Sequence, residues 1–382
     1  MIRSLEFELL QLCCRKKFDP QREARMEALL QAVPDWEPLL RLARHHGMLP
    51  LLHHRLETQG WRGVPADRAA SLKAAYRAHL IRNLEMAKQL FLLLDLLARH
   101  SLRALPVKGP VLAAQAHGDI GLRAFADLDL LVAPEDFWEC HCLLRDAGFT
   151  PGIELDPRAA RLYAAQETSM GFYNRGKNLT VELHWNFLPC CFGQRYDFDA
   201  LWDGRRSVRL ERRAVAALSD SDTMRYLLLH GFKHGWDRLC LVSDAAYAAA
   251  ALRVSWEEIQ NADPAMTMID SGSLLIAALV DDIIPKETVA RARRDRAARR
   301  LAEGFTIHLT AQPPAARTIF SLGGLYVAGQ QGFIDKTRFL WRLLFEATAE
   351  DWKRRHFSRA FWRYTVLRPW RLLADHVFTP GT

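Results

Sequence analysis

The sequence predicts an α+β protein in which a small mixed β-sheet lies between two extensive helical regions. Three observations lead to this prediction. Apolar residues recur at helical spacing through residues 1–100, short strand-like and helical stretches alternate through 101–218, and helical spacing returns through 219–382. These three ranges give the predicted division into an N-terminal helical region, an α/β core and a C-terminal helical region.

The two flanking regions carry clear helical patterns. Residues 35–60 present an apolar face that Gly47 interrupts, and residues 74–100 form a longer pattern of the same kind. The C-terminal region opens with a capped helix that breaks near Gly235, after which a second helix follows. Helical patterns then dominate to the end of the chain.

The core alternates between strand and helix. Its predicted strands are 102–107, 127–133, 168–175 and 178–185, and its predicted helices run from Gly109 to about Gln115 and over 134–148. The last two strands form a hairpin around Gly176. Strand, helix, strand, helix and hairpin in this order indicate a small mixed sheet with helices packed on it.

Composition and charge narrow the class of protein. Of the 382 residues, 49% are hydrophobic and 25% are charged, which is typical of a soluble globular protein. No apolar run approaches the roughly 20 residues that a transmembrane helix needs. The net charge of +8 favours anionic partners such as nucleotides, nucleic acid or an anionic membrane surface. The sequence has seven cysteines, an odd number, and their spacing suits neither a disulfide framework nor a zinc site. We therefore expect the protein to reside in a reducing cytoplasm.

Carboxylates cluster on one predicted sheet face. In "DLDLLV" the side chains of Asp127 and Asp129 point to the same face, because successive residues of a strand alternate. Glu182 in "VELHW" joins them if its strand lies beside the first. Three converging carboxylates repel one another unless cations lie between them, and Mg²⁺ takes oxygen ligands of this kind. The residues thus predict a site for two metal ions roughly 3.5 to 4 Å apart. The alternative is that the acids lie at exposed strand ends.

A phosphate group also has a predicted position. The turn "KGP" after the first core strand combines Lys108 with Gly109, at which the backbone can approach a ligand closely, and opens a helix whose N–H groups face outward. Arg123 adds a charge four residues before Asp127. His230, Lys233 and His234 share one helix face, which either packs over the site near phosphate or is a polar face held by the core.

These motifs resemble the polymerase-β-type nucleotidyltransferase superfamily, and more closely a bacterial group of nucleotidyltransferase family proteins. The matching stretches extend over most of the chain and are, in order, "DWEPLLRLARHHGMLPLL", "LPVKGPVL", "HGDIGLR", "DLDLLV", "VELHW", "LLLHGFKHGWDRL" with Asp244 downstream, "RFLWRLLFEATAEDW" and "RYTVLRPWRLL". The resemblance implies a nucleotidyltransferase core within the α+β fold described above.

The same resemblance implies a reaction and roles for the residues. A nucleoside monophosphate would pass from an NTP to a hydroxyl acceptor with Mg²⁺, or Mn²⁺, as cofactor. Asp127 and Asp129 would bind both metal ions, and Glu182 would complete the site as a candidate acceptor of the hydroxyl proton. Lys108 and Gly109 would face the triphosphate. The acceptor is a peptide or protein, a small metabolite or RNA, with RNA the least favoured.

Two other functions stay open at this point. Many superfamily members have serine where Pro110 stands, and the gap from Gly109 to Asp127 is long, so the chain is alternatively an inactive nucleotide-binding regulatory module. The arginine-rich stretch 291–300 is typical of a solvated helix, or else it contacts RNA. The aromatic and arginine-rich stretch 361–378 is a docked terminal helix or an interfacial one.

Overall fold

The computed structural model describes residues 4–33, 35–262, 265–311, 319–330, 332–345, 349–352 and 366–370. It confirms the α+β architecture, with one mixed five-stranded sheet and helices on both sides of it in the chain. No helix of these described segments is both long enough and apolar enough to span a bilayer.

Five helices precede the sheet: α1 Leu5–Leu12, α2 Pro20–Ala32, α3 Trp36–His45, α4 Leu49–Thr58 and α5 Ala66–Arg99. The helix predicted over 74–100 is thus part of a longer one. Asp35 caps α3 by accepting a hydrogen bond from the N–H of Glu37, while Leu39, Leu40 and Ala43 bury the apolar face that the sequence predicts.

The sheet and its connecting helices follow. In chain order they are β1 Ala104–Pro106, α6 Gly109–Leu112, β2 Asp127–Val132, α7 Phe137–Asp146, β3 Thr150–Pro151, α8 Pro157–Gln166, β4 Ser169–Asn174 and β5 Leu179–His184. The strand order is β1-β2-β5-β4-β3, with β2 and β5 parallel and the other pairs antiparallel. The predicted strands are confirmed with slightly shorter bounds.

One short helix and a separate hairpin lie between the sheet and the C-terminal helices: α9 Phe198–Asp203, β6 Arg206–Leu210 and β7 Arg213–Ala217. This hairpin, α8 and β3 are absent from the sequence-based prediction. Each strand of the hairpin buries only two side chains, among them Val208 and Val215, and β3 has only two residues. Such short patterns are too weak to separate a strand from a loop.

The C-terminal region is helical as predicted. Its helices are α10 Asp220–Lys233, α11 Leu239–Ala251, α12 Trp256–Ala262, α13 Met266–Leu279, α14 Lys286–Ala292, α15 Arg296–Thr310, α16 Ile319–Ala328, α17 Gly332–Phe345 and α18 Ala349–Trp352. The predicted break between α10 and α11 occurs at Gly235 and Trp236, both of which have positive φ.

Two apolar cores lie on opposite faces of the sheet. Leu128, Leu130 and Leu183 pack on one face with α5, α7 and the hairpin. The other core joins α1–α4 to α10, α11, α13 and α15. Helices from both ends of the chain therefore share one core, for example where Gln11 Nε2 donates to the carbonyl of Leu279 at 2.8 Å. The three-part domain division stays a prediction.

His46 connects the two helical regions. At the end of α3 its carbonyl accepts from the N–H of Cys240, and its Nδ1 accepts from the N–H of Leu239 at 3.3 Å. The imidazole is buried, and burial lowers its pKa to about 4. An imidazole that must stay neutral in the folded state favours the unfolded chain once that chain can take up a proton.

We expect the protein to lose stability in acid through this residue. As the pH falls from about 6.5 to about 4, the unfolded chain binds the proton and the folded chain does not, which costs about 2 to 3 kcal/mol. His46→Asn keeps an acceptor for Leu239 and removes the titration, so its free energy of unfolding should change less over this range. Urea unfolding at several pH values measures it. Parallel pH profiles of the two proteins would contradict the assignment.

Candidate active site

The parallel pairing of β2 with β5 forms the floor of the candidate site. Its register sets Asp127 opposite Thr180 and Asp129 opposite Glu182, so the acids face the same side of the sheet. One ligand atom each from Asp129, Glu182 and His184 lies within 4.8 Å of the others. Asp127 is half-buried at the start of β2 and lies outside this group of three. The expected meeting of Glu182 with Asp129 is therefore present.

Asp129 is the most enclosed acid of the site. It is 2% exposed, and its Oδ1 accepts from Lys108 Nζ at 2.9 Å and from His184 Nε2 at 3.0 Å. Burial alone raises a carboxyl pKa, but Lys108 and His184 outweigh it and hold the pKa of Asp129 at about 2. Its second oxygen, Oδ2, is buried and has no hydrogen-bond partner in the described part of the chain.

The other two acids differ in their electrostatic surroundings. Glu182 accepts from Ser169 Oγ at 2.7 Å and lies 3.5 Å from His184 Nε2. Burial opposes ionisation of Glu182, but His184 and Ser169 hold its pKa well below the ordinary value. Burial and the nearby charge of Asp129 raise the pKa of Asp127, since Lys108 offsets them only in part. Asp127 is therefore the least compensated acid of the three.

The turn after β1 brings Lys108 to Asp129. The N–H of Val107 donates to the carbonyl of Asp129 at 3.2 Å, which fixes the turn against β2. Gly109 has φ +56°, a left-handed conformation that other residues rarely adopt. The side chain of Lys108 is only 11% exposed. Burial opposes its charge, but Tyr226, Asp129 and Asp127 raise its pKa above the ordinary value.

The helix predicted from Gly109 to about Gln115 is present and extends to His117, but it is less regular than expected. The α-helical part, α6, covers a single turn, and residues 113–117 continue it as a π-helix that ends at Gly118. π-turns are rare and occur frequently at functional sites. The widened turn places His117, its last residue, in the protein interior.

Helix α10 approaches the site with three side chains at helical spacing. Tyr226 is buried, and His230 stacks on it with ring centroids 5.6 Å apart. Lys233 is half-buried, and its charge is attracted by Glu182 and Asp129, although burial lowers its pKa overall. No carboxylate of the described residues forms an ion pair with Lys233. His234 packs against His230 at 4.5 Å between ring centroids.

Arg123 is engaged by a second buried cluster. Its Nε lies 3.0 Å from both carboxylate oxygens of Asp244, and its Nη2 lies 2.8 Å from Oδ2. His117 Nε2 lies 2.9 Å from Oδ1 of the same aspartate. Asp244 on α11 therefore holds Arg123 and His117. Asn83 on α5 supports the loop by donating to the carbonyl of Arg123 at 3.0 Å.

Ser169 and Tyr226 were not predicted as site residues. Ser169 lies opposite His184 in the β4–β5 register, which a correct pairing of the hairpin would have revealed. Tyr226 lies one helical turn before His230, so the helix face predicted for α10 extends to it. The roles predicted for Lys108, Gly109, Arg123, Lys233 and His234 toward phosphate stay predictions.

The two further stretches singled out in the sequence lie away from these acids in the chain. Residues 291–300 do not form one helix. Helix α14 ends at Ala292, and Asp295 caps the start of α15 by accepting a hydrogen bond from the N–H of Ala297. Arg291 pairs with Asp270 at 2.6 Å, and the other arginines of the stretch are exposed. Of residues 361–378, only 366–370 lie within the described residues.

Residues 33–263 match the family described as uncharacterised nucleotidyltransferase, and since this is more than half of the chain, the chain belongs to that family. The matched range includes every site residue named above. No curated protein and no solved structure matches the chain. The nucleotidyltransferase character predicted from the sequence is thereby confirmed at the level of the family and of the general kind of reaction.

The donor set fits a hard divalent cation. Carboxylate oxygens are the ligands that Mg²⁺ and Mn²⁺ prefer, and His184 adds a nitrogen to the group. The buried Oδ2 of Asp129, which has no partner among the described residues, is the most specific sign, because a buried polar atom without a partner is costly unless a ligand satisfies it.

The Arg123–Asp244 pair yields a stability prediction. Asp244→Asn leaves a buried guanidinium without its counter-charge, and we expect the free energy of unfolding to fall by about 3 kcal/mol. Asp95→Asn is the matched control, because Asp95 pairs with Arg213 on the surface and its loss should cost less than about 1 kcal/mol. Urea unfolding of both variants measures the two losses. Equal losses would contradict a structural role for the buried pair.

Proposed function

We propose that this chain is a metal-dependent nucleotidyltransferase of the polymerase-β type, which transfers a nucleoside monophosphate from an NTP to a hydroxyl acceptor. One observation carries the proposal. Asp129 and Glu182 lie side by side on parallel strands with Asp127 on the same face, and one buried oxygen of Asp129 has no hydrogen-bond partner in the described segments. Membership of a nucleotidyltransferase family supports the same reaction class.

Asp127, Asp129 and Glu182 are the residues that would hold Mg²⁺ or Mn²⁺. When bound, such a cation stabilises the negative charge that develops on the phosphate oxygens during transfer. The protein itself supplies positioning. Ser169 and His184 orient the carboxylates before substrate arrives, which reduces the reorganisation needed during the reaction.

The transfer is an in-line displacement at phosphorus. The acceptor oxygen forms a bond to the α-phosphorus, the bond from that phosphorus to the bridging oxygen breaks, and pyrophosphate leaves with the electron pair. The hydroxyl proton passes to a carboxylate of the site. Glu182, the third acid of the site, is the candidate acceptor of this proton, as the family resemblance implies.

The triphosphate lies between the turn at Gly109 and helix α10 in this proposal. Lys233 is the cation best suited to phosphate, since it is half-buried, faces the acids and forms no ion pair with the described residues. His234 follows it at the end of α10. Lys108 already pairs with Asp129, and Arg123 pairs with Asp244. In this proposal the two cations therefore attract the nucleotide by their positive charge at a distance and do not bind a phosphate oxygen directly.

The acceptor is open among hydroxyls, with a peptide, protein or small metabolite favoured over RNA. The location in a reducing cytoplasm stays a prediction from the cysteine content. The experiment below also tests two alternative functions. Pro110 after Gly109 is the feature that favours an inactive regulatory module, and the exposed arginines of 291–300 are the feature that favours an RNA-binding protein.

We expect transfer of label from an α-labelled NTP to a component of cell extract in the presence of Mg²⁺ or Mn²⁺. Asp127→Asn and Asp129→Asn should each reduce this transfer by more than about 100-fold, because loss of an outer-shell partner of a metal site alone costs 10- to 100-fold. Asp146→Asn is the matched control, since Asp146 is an exposed aspartate at the end of α7 and should retain transfer.

Other results would redirect the assignment. Binding of NTP without transfer under any acceptor would favour the regulatory module and contradict the enzyme. Binding of RNA with a steep salt dependence, lost when arginines of 291–300 are replaced, would favour the RNA-directed alternative. Equal activity of Asp129→Asn and the unaltered protein would remove the acids from the mechanism.

A further inference from the structure

The positive charges around the three acids are unevenly placed. Lys108 Nζ and His184 Nε2 both lie on Oδ1 of Asp129, at 2.9 and 3.0 Å. Oδ2 of the same carboxylate is buried and has no hydrogen-bond partner among the described residues. One oxygen of the aspartate is thus occupied by two protein donors, while the other has no donor from the described residues.

We propose that the ammonium of Lys108 is a built-in cation that takes the position of one of two metal ions, so that the site binds a single divalent cation through Oδ2 of Asp129. This inference deepens the proposed function and rests on it. It departs from the sequence-based expectation that the acids hold a pair of metal ions and that Lys108 faces the triphosphate.

Oδ1 of Asp129 is already occupied by two donors of the protein. A carboxylate that bridges two metal ions roughly 3.5 to 4 Å apart offers one oxygen to each. Here Oδ1 already accepts hydrogen bonds from Lys108 and His184. A second metal ion at Oδ1 must therefore displace Lys108. The lysine side chain is 11% exposed and follows a turn that is fixed to β2, which leaves the ammonium little room to withdraw.

The charge of the three acids also favours a single divalent cation. Asp127, Asp129 and Glu182 carry three negative charges when ionised. One divalent cation together with Lys108 supplies three positive charges, whereas two divalent cations and Lys108 supply five. Lys233 adds a further positive charge at the same face. Like charges in a poorly solvated site repel strongly, so in the protein without bound nucleotide a second metal ion is disfavoured as long as Lys108 stays.

The turn that carries Lys108 fixes the direction of this side chain. Gly109 has φ +56°, and the N–H of Val107 donates to the carbonyl of Asp129. This turn directs the side chain of Lys108 toward Asp129 on the neighbouring strand β2. Lys233 on α10, which forms no ion pair with described residues, remains as the cation that can meet a phosphate. The two lysines thus have different tasks, one toward the acids and one toward the ligand.

The test counts Mn²⁺ ions by titration and by the electron paramagnetic resonance of the bound metal. The unaltered protein should bind one Mn²⁺ per chain and give the spectrum of an isolated ion. Lys108→Met, which keeps the length of the side chain and removes its charge, should bind two and give the spectrum of a magnetically coupled pair. Lys233→Met is the matched control and should keep one isolated ion.

The outcomes separate the inference from the proposed function. A coupled pair in the unaltered protein, or a single ion in folded Lys108→Met, would overturn the inference and leave the nucleotidyltransferase proposal standing. Absence of bound Mn²⁺ from every variant would overturn both. If Lys108→Met does not fold, the unaltered protein with Mn²⁺ and inorganic tripolyphosphate decides, because a coupled pair there overturns the inference and an isolated protein-bound ion supports it.

Discussion

The parallel pairing of β2 with β5 is the constraint on which the whole site depends. It sets Asp129 beside Glu182 on a largely buried sheet face, where carboxylates repel one another and are costly to leave unpaired. Hydrogen-bond donors of the surrounding chain compensate for this cost: Lys108 and His184 donate to Asp129, and Ser169 donates to Glu182. These donors leave one buried oxygen of Asp129 without a hydrogen-bond partner among the described residues. That oxygen is where we propose that a cation binds.

The helices at the two ends of the chain hold this arrangement in place. Helix α10 brings Tyr226 and Lys233 to the acids. Helix α11 carries Asp244, which pairs with Arg123 although the two residues are 121 positions apart in the sequence. N-terminal helices brace α11 in turn through His46. The site is therefore built from distant parts of the chain, and family membership over residues 33–263 includes all of these parts.

The sequence predicts the local half of this account. The alternation in "DLDLLV" and "VELHW" predicts both strands and the shared face of their acids, because each strand has enough residues to show its period. The partners of Asp244 are beyond such reasoning, since only tertiary packing brings Arg123 and His117 to it. The direction of Lys108 is equally hidden, because it depends on the backbone angles of one glycine turn.

The most direct test of the central claim is a crystal structure grown with Mn²⁺, with the metal located by its anomalous scattering. The account predicts a peak in coordination contact with Oδ2 of Asp129 and with the carboxylates of Asp127 and Glu182. A well-ordered site with the three acids in the positions described here, and no anomalous peak among them at saturating Mn²⁺, would contradict it.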